Sequence, residues 1–336
     1  MKSWQIRHFG IEGLHPSDQP QPTSPAPGQA LVKIRAVSLN YRDLLTMQGL
    51  YNPRQKLPLV PCSDGSGEVV EVGEGVTRVK VGDRVCAIFA QGWLSGRMTK
   101  EKARTTLGGP LQGMLREYAA FDAEGLVPIP EHLDFHQAAC LPCAGVTAWN
   151  AIVEQGQVKA GDTVLVQGTG GVSMFAMQFA RMQGARVIVL SSSDEKLAAV
   201  GAKEGINYLA VPDWEKRVRE MTAGEGVDHI VEVGGAGTLQ RSLKAIRIGG
   251  TISIIGQLSG NTTEVNLIPI LMQNVRLQGV MVGSRETFEA MNRAITLHRL
   301  VPVVDRRVFD FLQVPEAFAH LGVGNHVGKV TISVGS

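Results

Sequence analysis

An apolar strand running straight into a glycine turn and an amphipathic helix constrains this chain more than any other feature. In VLVQGTGGVSMFAMQFA the β-branched strand ends at Gln167, Gly168, Thr169, Gly170 and Gly171 make the turn, and the helix continues from Val172. Gly184 closes that helix, and ARVIVL supplies a second strand. A charged helix starts near Asp194, and the alternation continues through Asn207 to Ala210, Asp213 to Met221, VDHIVEV, LQRSLKAI, GTISIIG and VRLQGVMV. Strands alternating with helices predict an α/β fold, a doubly wound parallel sheet with right-handed crossovers.

The residues before this alternation read as strands and turns rather than helices. LVKIRAVSLN alternates and ends on a polar cluster, and GEVVEVGEGVTRVKVGDRVCAI adds two short strands broken by Gly73, Gly75 and Gly82-Asp83. Pro16 to Pro27 reads as an extended surface segment, and Gln91 to Gln112 as an irregular, glycine-rich loop. Helical spacing begins near Gln137, in AACLPCAGVTAWNAIVEQ. From about Ser284 one helix, ETFEAMNRAITLH, precedes strand-like pieces ending HVGKVTISV. That ending resembles the first part, so the chain is expected to return and complete a small twisted β-barrel. A length of 336 residues favours two domains. The expected boundaries are 1–136 with 284–336, and 137–283.

Composition removes several functions. A formal net charge of +2 with scattered Lys and Arg gives no concentrated basic face for nucleic acid or an anionic membrane. MKSWQIRHFG lacks the apolar core of a signal peptide, and no apolar run approaches a membrane span. Four cysteines in so long a chain do not form a disulfide framework. The cytoplasm is the expected location, so Asn261-Thr262-Thr263 reads as a polar loop rather than a glycosylation acceptor.

The glycine turn has a chemistry. Amides at a helix start have no internal partners, and the helix dipole favours an anion there. Gly168 permits the tight turn, Gly170 lets a pyrophosphate approach the backbone, and Ser173 is small enough to replace the third glycine of the pattern. A dinucleotide cofactor is the reading in this context; the plain alternative is a structural turn. Where an NAD-preferring fold carries Asp or Glu after the second strand, this chain has Ser191, Ser192 and Ser193, then Lys196. Hydroxyls and an ammonium suit a 2′-phosphate, favouring NADPH over NADH; Lys196 could also be a solvated helix lysine.

LNYRDLL, PLVPCSDGSGEVVEVGEGVTRVKVGDRV, AACLPCAGVTAWNAI, VLVQGTGGVS, VDHIVEVGG and HVGKVTI, in this order, resemble the medium-chain dehydrogenase/reductase superfamily, in its zinc-independent quinone oxidoreductase-like branch. The resemblance covers nearly the whole chain. It implies a chaperonin-10-like β domain, a Rossmann domain, an active site in the cleft between them, and pairing of Rossmann domains in a homodimer. It implies cofactor contacts from Lys196 and Tyr208 at the adenosine phosphate, although the segment joining them looks a helical turn short. Val233, Gly234, Gly235, Gly256, Val280, Met281 and Val282 match segments lining the nicotinamide half, and Thr147 and Lys329 join the cofactor set.

Zinc-dependent relatives use a cysteine, a histidine and a second cysteine; the matching positions are Asn40, Ser63 and Cys143, with Asp64 in the acidic place after the histidine. Neutral Asn and Ser cannot replace a thiolate and an imidazole, so no metal is expected. Cys140 and Cys143 form a C-x-x-C that reads as two small core residues, with a redox pair as the alternative. Without a Lewis acid, a quinone or an activated alkene is the expected acceptor, with hydrogen-bond donors stabilising the developing oxyanion. Asn40, Tyr41 and Arg42 are the candidate donors, ordered by Asp43 and Asp64; Tyr41 could equally be a half-buried strand-end residue, and Asp43 and Asp64 could equally cap turns or pair with a nearby Arg. Arg42 reads as a solvated surface residue, and His132, His136 and His229 as structural. Two other readings stay open: an alcohol or aldehyde dehydrogenase of the same fold, and an NADPH-binding protein with little catalysis.

Overall fold

A computed structural model describes residues 1–22 and 24–335; Thr23, inside the proline-rich segment, and Ser336 lie outside the described residues. Contacts divide the chain into Met1–Val146 with Gly283–Ser336, and Thr147–Val282. The sequence put these boundaries at 136/137 and 283/284.

The first unit begins with β1 (Lys2–Ile6) and β2 (Leu14–Asp18), paired antiparallel. The alternating run noted above forms β3 (Gln29–Ser38). β4 (Asp64–Val72), β5 (Arg84–Ala87), β6 (Tyr118–Asp122) and β7 (Leu126–Pro128) follow; β4 and β6 flank β3, and β5 joins β4 to β7. One expectation fails between β3 and β4, where Tyr41–Met47 is helical. Asn40 and Asp43 close a capping box at its start, and Met47 reaches the core. Seven residues show too little periodicity for the helix to stand out in sequence.

The helical stretch expected near Gln137 runs from Phe135 to Glu154, with two wide π-type turns, Leu141–Gly145 and Asn150–Glu154. Pro142 sits in the first, where its missing N–H breaks the regular ladder.

The second unit holds β8 (Thr163–Gln167), β9 (Arg186–Ser191), β10 (Glu204–Asn207), β11 (Val227–Glu232), β12 (Ile246–Ile254) and β13 (Arg276–Gly279). All are parallel, in the order β10-β9-β8-β11-β12-β13, so the winding reverses between β8 and β11. Ligand sites of such sheets lie beyond the strand ends at that reversal. Leu165, Ile188, Ile230 and Ile252 build the core of one face. Helix Gly171–Met182 buries Met174, Phe175 and Phe179, with the Phe179 ring edge-on to Trp149.

The chain then returns to the first unit, as expected. β14 (Val304–Phe309) lies parallel to β15 (Lys329–Ser333), and β15 pairs antiparallel with β3, Thr331 opposite Ser38. Helix Val314–Val323, absent from the sequence reading, packs Phe318 and Val314 into the same core. Among the described residues, no helix is long and apolar enough to cross a membrane.

Candidate active site

In the second unit, Gly168 turns with φ 79°, in the left-handed region, directly after β8. No atom lies within 4 Å of a Cβ built on Gly168 or Gly170, so the turn faces open space. Gly170 N-caps helix Gly171–Met182 and no side chain caps the first turn, leaving its amides for an anion. Ser173 does more than fit. Its Oγ donates to the Gln167 carbonyl at 2.6 Å, tying helix to strand. Thr169 is buried within this turn.

At the end of β9, Ser191 is buried and its hydroxyl accepts from the Ser193 amide. Ser193 in turn caps helix Asp194–Ala199 by accepting from the Lys196 amide. Tyr208 N–H donates to the Ser191 carbonyl at 2.9 Å, which brings the Tyr208 and Ser191 backbones together; the Tyr208 side chain is exposed. Ser192 is half-buried beside them. Gly256 approaches Val233 so closely that a Cβ there would meet the Val233 carbonyl at 2.5 Å. Val280 continues the ladder with Ile254, Met281 is exposed, and the Val282 carbonyl accepts from Asn150. Thr147, buried, opens the unit.

Two residues the sequence reading passed over link this region. Glu232, fully buried at the end of β11, accepts from Gln167 Nε2 at 2.7 Å, from the Gly234 and Gly235 amides at 2.9 Å each, and from the Ser242 and Thr238 hydroxyls. Gln167 Oε1 accepts from the Val233 and Gly234 amides.

The first unit holds the other candidates. Asn40 ends the extended segment after β3, and Tyr41 opens the helix with its side chain 38% exposed, a helix-start rather than a strand-end tyrosine. Lys329 is buried, and its Nζ donates to the Leu39 carbonyl and to Asn40 Oδ1, both at 2.6 Å. Asn40 Nδ2 reaches Ser63 Oγ at 3.5 Å; Ser63 Oγ donates to Asp64 Oδ1 at 2.7 Å, and the Cys143 amide donates to Asp64 Oδ2 at 3.1 Å. Asp43 Oδ2 accepts from the Asn40 amide, while its Oδ1 is buried without a partner.

Burial pushes the Asp43 carboxyl up to about 6, helped by the Asp64 charge and opposed by Arg42, the Asn40 amide and Lys329. Burial raises Asp64 as well, against Lys329 and the hydrogen bonds from Asn40, Ser63 and Cys143. Lys329 therefore belongs to this cluster, in the unit that does not contain the glycine turn.

Two family models match the chain. Residues 26–131 match the alcohol dehydrogenase GroES-like domain, and residues 171–296 match the zinc-binding dehydrogenase family. A zinc-type alcohol dehydrogenase-like protein of Schizosaccharomyces pombe is 42% identical over 334 residues, covering 97% of this chain and 96% of that protein. The chain belongs to the medium-chain dehydrogenase/reductase superfamily. An acryloyl-coenzyme A reductase of Metallosphaera sedula is 29% identical over 93% of this chain and 94% of its own length. The solved structure of an NAD-dependent alcohol dehydrogenase superposes with a TM-score of 0.91 at 33% identity, covering both chains completely.

The superfamily raises the question of zinc, and the donor set here does not fit it. The three positions matched to metal ligands hold an amide that accepts from an ammonium, a hydroxyl that donates to Asp64, and a single thiol, Cys143. A neutral amide and a neutral hydroxyl, both already engaged, do not replace an imidazole and a second thiolate as zinc ligands. Lys329 also puts a positive charge within hydrogen-bond distance of Asn40. Cys140, raised to about 12 by burial, bonds through Sγ to the His136 carbonyl, as a core residue does.

Arg42 overturns its expected role. It is a clamp rather than a solvated residue: its guanidinium donates to the Leu107 and Gly109 carbonyls and sits 4.9 and 4.8 Å from the Tyr51 and Phe89 rings. The three histidines are held by local bonds, His132 to the Leu300 carbonyl, His136 to Thr331 and Ser333, and His229 to Ser253.

Proposed function

We propose that the protein is an NADPH-dependent, zinc-independent reductase of quinones or activated alkenes. The observation that carries this reading is the hydrogen-bonded chain Lys329–Asn40–Ser63–Asp64, half-buried at Asn40 and buried elsewhere, in which Asn40 and Ser63 hold the positions that the family resemblance matches to a thiolate and an imidazole of zinc-dependent relatives. The open, uncapped turn at Gly168–Val172 fits the cofactor's pyrophosphate. Ser191, Ser192 and Lys196 suit a 2′-phosphate, while Val233, Gly234, Gly256 and the Val280–Val282 segment border the nicotinamide in this reading. When bound, the reduced nicotinamide supplies a hydride to the acceptor carbon.

The protein's own residues handle the oxygen end. Tyr41, exposed at a helix start, donates its phenolic hydrogen bond to the acceptor oxygen, where charge gathers as the carbon is reduced. Asn40 is held for a similar contact by Lys329 and by its capping box with Asp43. Asp64 fixes Ser63 and, through it, the Asn40 amide. The acryloyl-coenzyme A reductase relative supports an activated alkene, and the NAD-dependent alcohol dehydrogenase neighbour favours the second reading, oxidation of alcohols or aldehydes.

A homodimer completes the proposal. β13 is a sheet edge, and Leu267, Ile268, Leu271 and Met272 beside it are between 66% and 78% exposed. An open edge next to an apolar helix suits pairing with a second copy. The four free thiols, buried or half-buried, suit a reducing compartment, and we assign the enzyme to the cytoplasm.

The test is turnover of chelator-treated protein, followed as loss of NADPH absorbance with 1,4-benzoquinone and an α,β-unsaturated ketone. Rapid oxidation without metal supports the reading. Turnover of simple alcohols that depends on added zinc would replace it with the dehydrogenase.

A further inference from the structure

We infer that Glu232 is a positioning residue for the cofactor, through a side-chain clamp with Gln167 that holds the two turns at the sheet's winding reversal in one arrangement. The inference rests on the proposal that these turns receive the dinucleotide.

The backbone explains why a clamp is needed. β8 and β11 are adjacent, but their ladder ends at Val166 opposite Val231. One residue later both chains leave the sheet, β8 into the Gly168 turn and β11 into Val233–Gly235. Past that point no backbone pairing fixes one turn against the other, and the side chains of Gln167 and Glu232 take it over. Gln167 Nε2 donates to Glu232 Oε2, while Gln167 Oε1 accepts from the Val233 and Gly234 amides. Glu232 Oε1 accepts from the Gly234 and Gly235 amides and from Thr238 Oγ1. The Ser242 hydroxyl donates to Oε2. The β8 turn and the β11 turn are thereby cross-linked through one carboxylate.

The chemistry is unusual for a purely structural contact. Glu232 is fully buried and forms no ion pair among the described residues; N–H and O–H donors alone satisfy it. A buried carboxylate is costly to desolvate, and apolar packing would close a strand end at less expense. What the carboxylate provides is a pair of oxygens that only accept, tying the Gln167 amide group, the Gly234 and Gly235 amides and the Thr238 and Ser242 hydroxyls to one group.

Donor and acceptor roles make this testable. In Glu232→Gln one oxygen becomes an amide NH2, which faces the NH2 of Gln167. Gln167 cannot flip to accommodate it, because its own oxygen serves two backbone amides. Exchanging the pair, Gln167→Glu with Glu232→Gln, restores the pattern: the new amide donates to the new carboxylate, which still accepts from Val233 and Gly234, and the Ser242 hydroxyl, which in wild type accepts from Gln167 Nε2 and donates to Glu232, accepts from the new amide and donates to the new carboxylate.

The experiment is an NADPH titration of the full chain by nicotinamide fluorescence, with a melting curve for each variant. Glu232→Gln should weaken NADPH binding about 10-fold or more, and the exchanged pair should recover to within about 3-fold of wild type. A lower melting temperature with an unchanged dissociation constant, read well below the melt, would make the network merely structural and overturn the inference. So would equal weakening in the exchanged pair. If Glu232→Gln does not fold, Thr238→Val, which removes one donor from the edge of the network, is read instead; a loss of about 3-fold or more supports the clamp, and none overturns it. Wild-type protein that binds neither NADPH nor NADH overturns the reductase reading itself and takes this inference with it. A binding wild type with indifferent variants overturns this inference alone.

Discussion

Asp43→Asn should make the protein's stability less dependent on pH, with a sign opposite to that of an ordinary salt-bridged carboxylate. Asp43 is fully buried, keeps one oxygen without a partner, and is raised from 3.8 to about 6. Its folded form therefore holds a proton more tightly than the unfolded chain does. The stability this contributes is fully present below about pH 3.8 and is lost as pH rises through about 6. A difference of roughly two pKa units corresponds to about 3 kcal/mol in all, of which about 2 kcal/mol is lost between pH 4 and pH 7. Asparagine keeps the shape and the acceptor for the Asn40 amide but carries no charge. Urea unfolding at several pH values measures the effect as the variant-minus-wild-type difference, which cancels groups common to both. The variant should gain on wild type by about 2 kcal/mol from pH 4 to pH 7. A difference flat with pH would refute the burial argument and imply that Asp43 stays ionised or reaches water.

Three further outcomes are expected. His229, buried on β11 and lowered to about 4, should cost wild type about 2 kcal/mol as pH falls from 7 to 4.5, since the unfolded imidazole takes up a proton and the folded one resists it; His229→Gln should remove that slope in urea titrations. Lys196→Ala should weaken NADPH binding about 10-fold and leave NADH within about 2-fold by fluorescence titration, whereas equal effects on both would detach Lys196 from the 2′-phosphate. Leu271→Asp, on the exposed helix beside β13, should convert a dimer to a monomer in light scattering; an unchanged mass would move the interface elsewhere.

What the sequence disclosed depended on how local each feature is. The strand, glycine turn and helix at Thr163–Met182 are contiguous, so periodicity and turn chemistry sufficed. The return of the chain was legible because HVGKVTISV alternates, although its partner β3 lies near the other end. Arg42 was misjudged because the carbonyls that fix it belong to Leu107 and Gly109, residues distant in sequence. Lys329 was assigned to the cofactor by resemblance, and nothing in its own segment announces two acceptors at Leu39 and Asn40. Glu232 passed as one polar residue in an apolar strand, VDHIVEV; only the sheet order, which sets β11 beside β8, reveals Gln167 as its partner. The short helices Tyr41–Met47 and Leu267–Met272 span too few turns to show a face, and Pro269 inside the second argues locally against a helix.

The most direct test of the central claim is a titration of NADPH and NADH into protein stripped of metal by chelation and checked by elemental analysis. The expected result is saturable binding with NADPH the tighter ligand, unchanged when zinc is restored. Binding of neither cofactor by the metal-free protein, or binding that returns only with zinc, would contradict it.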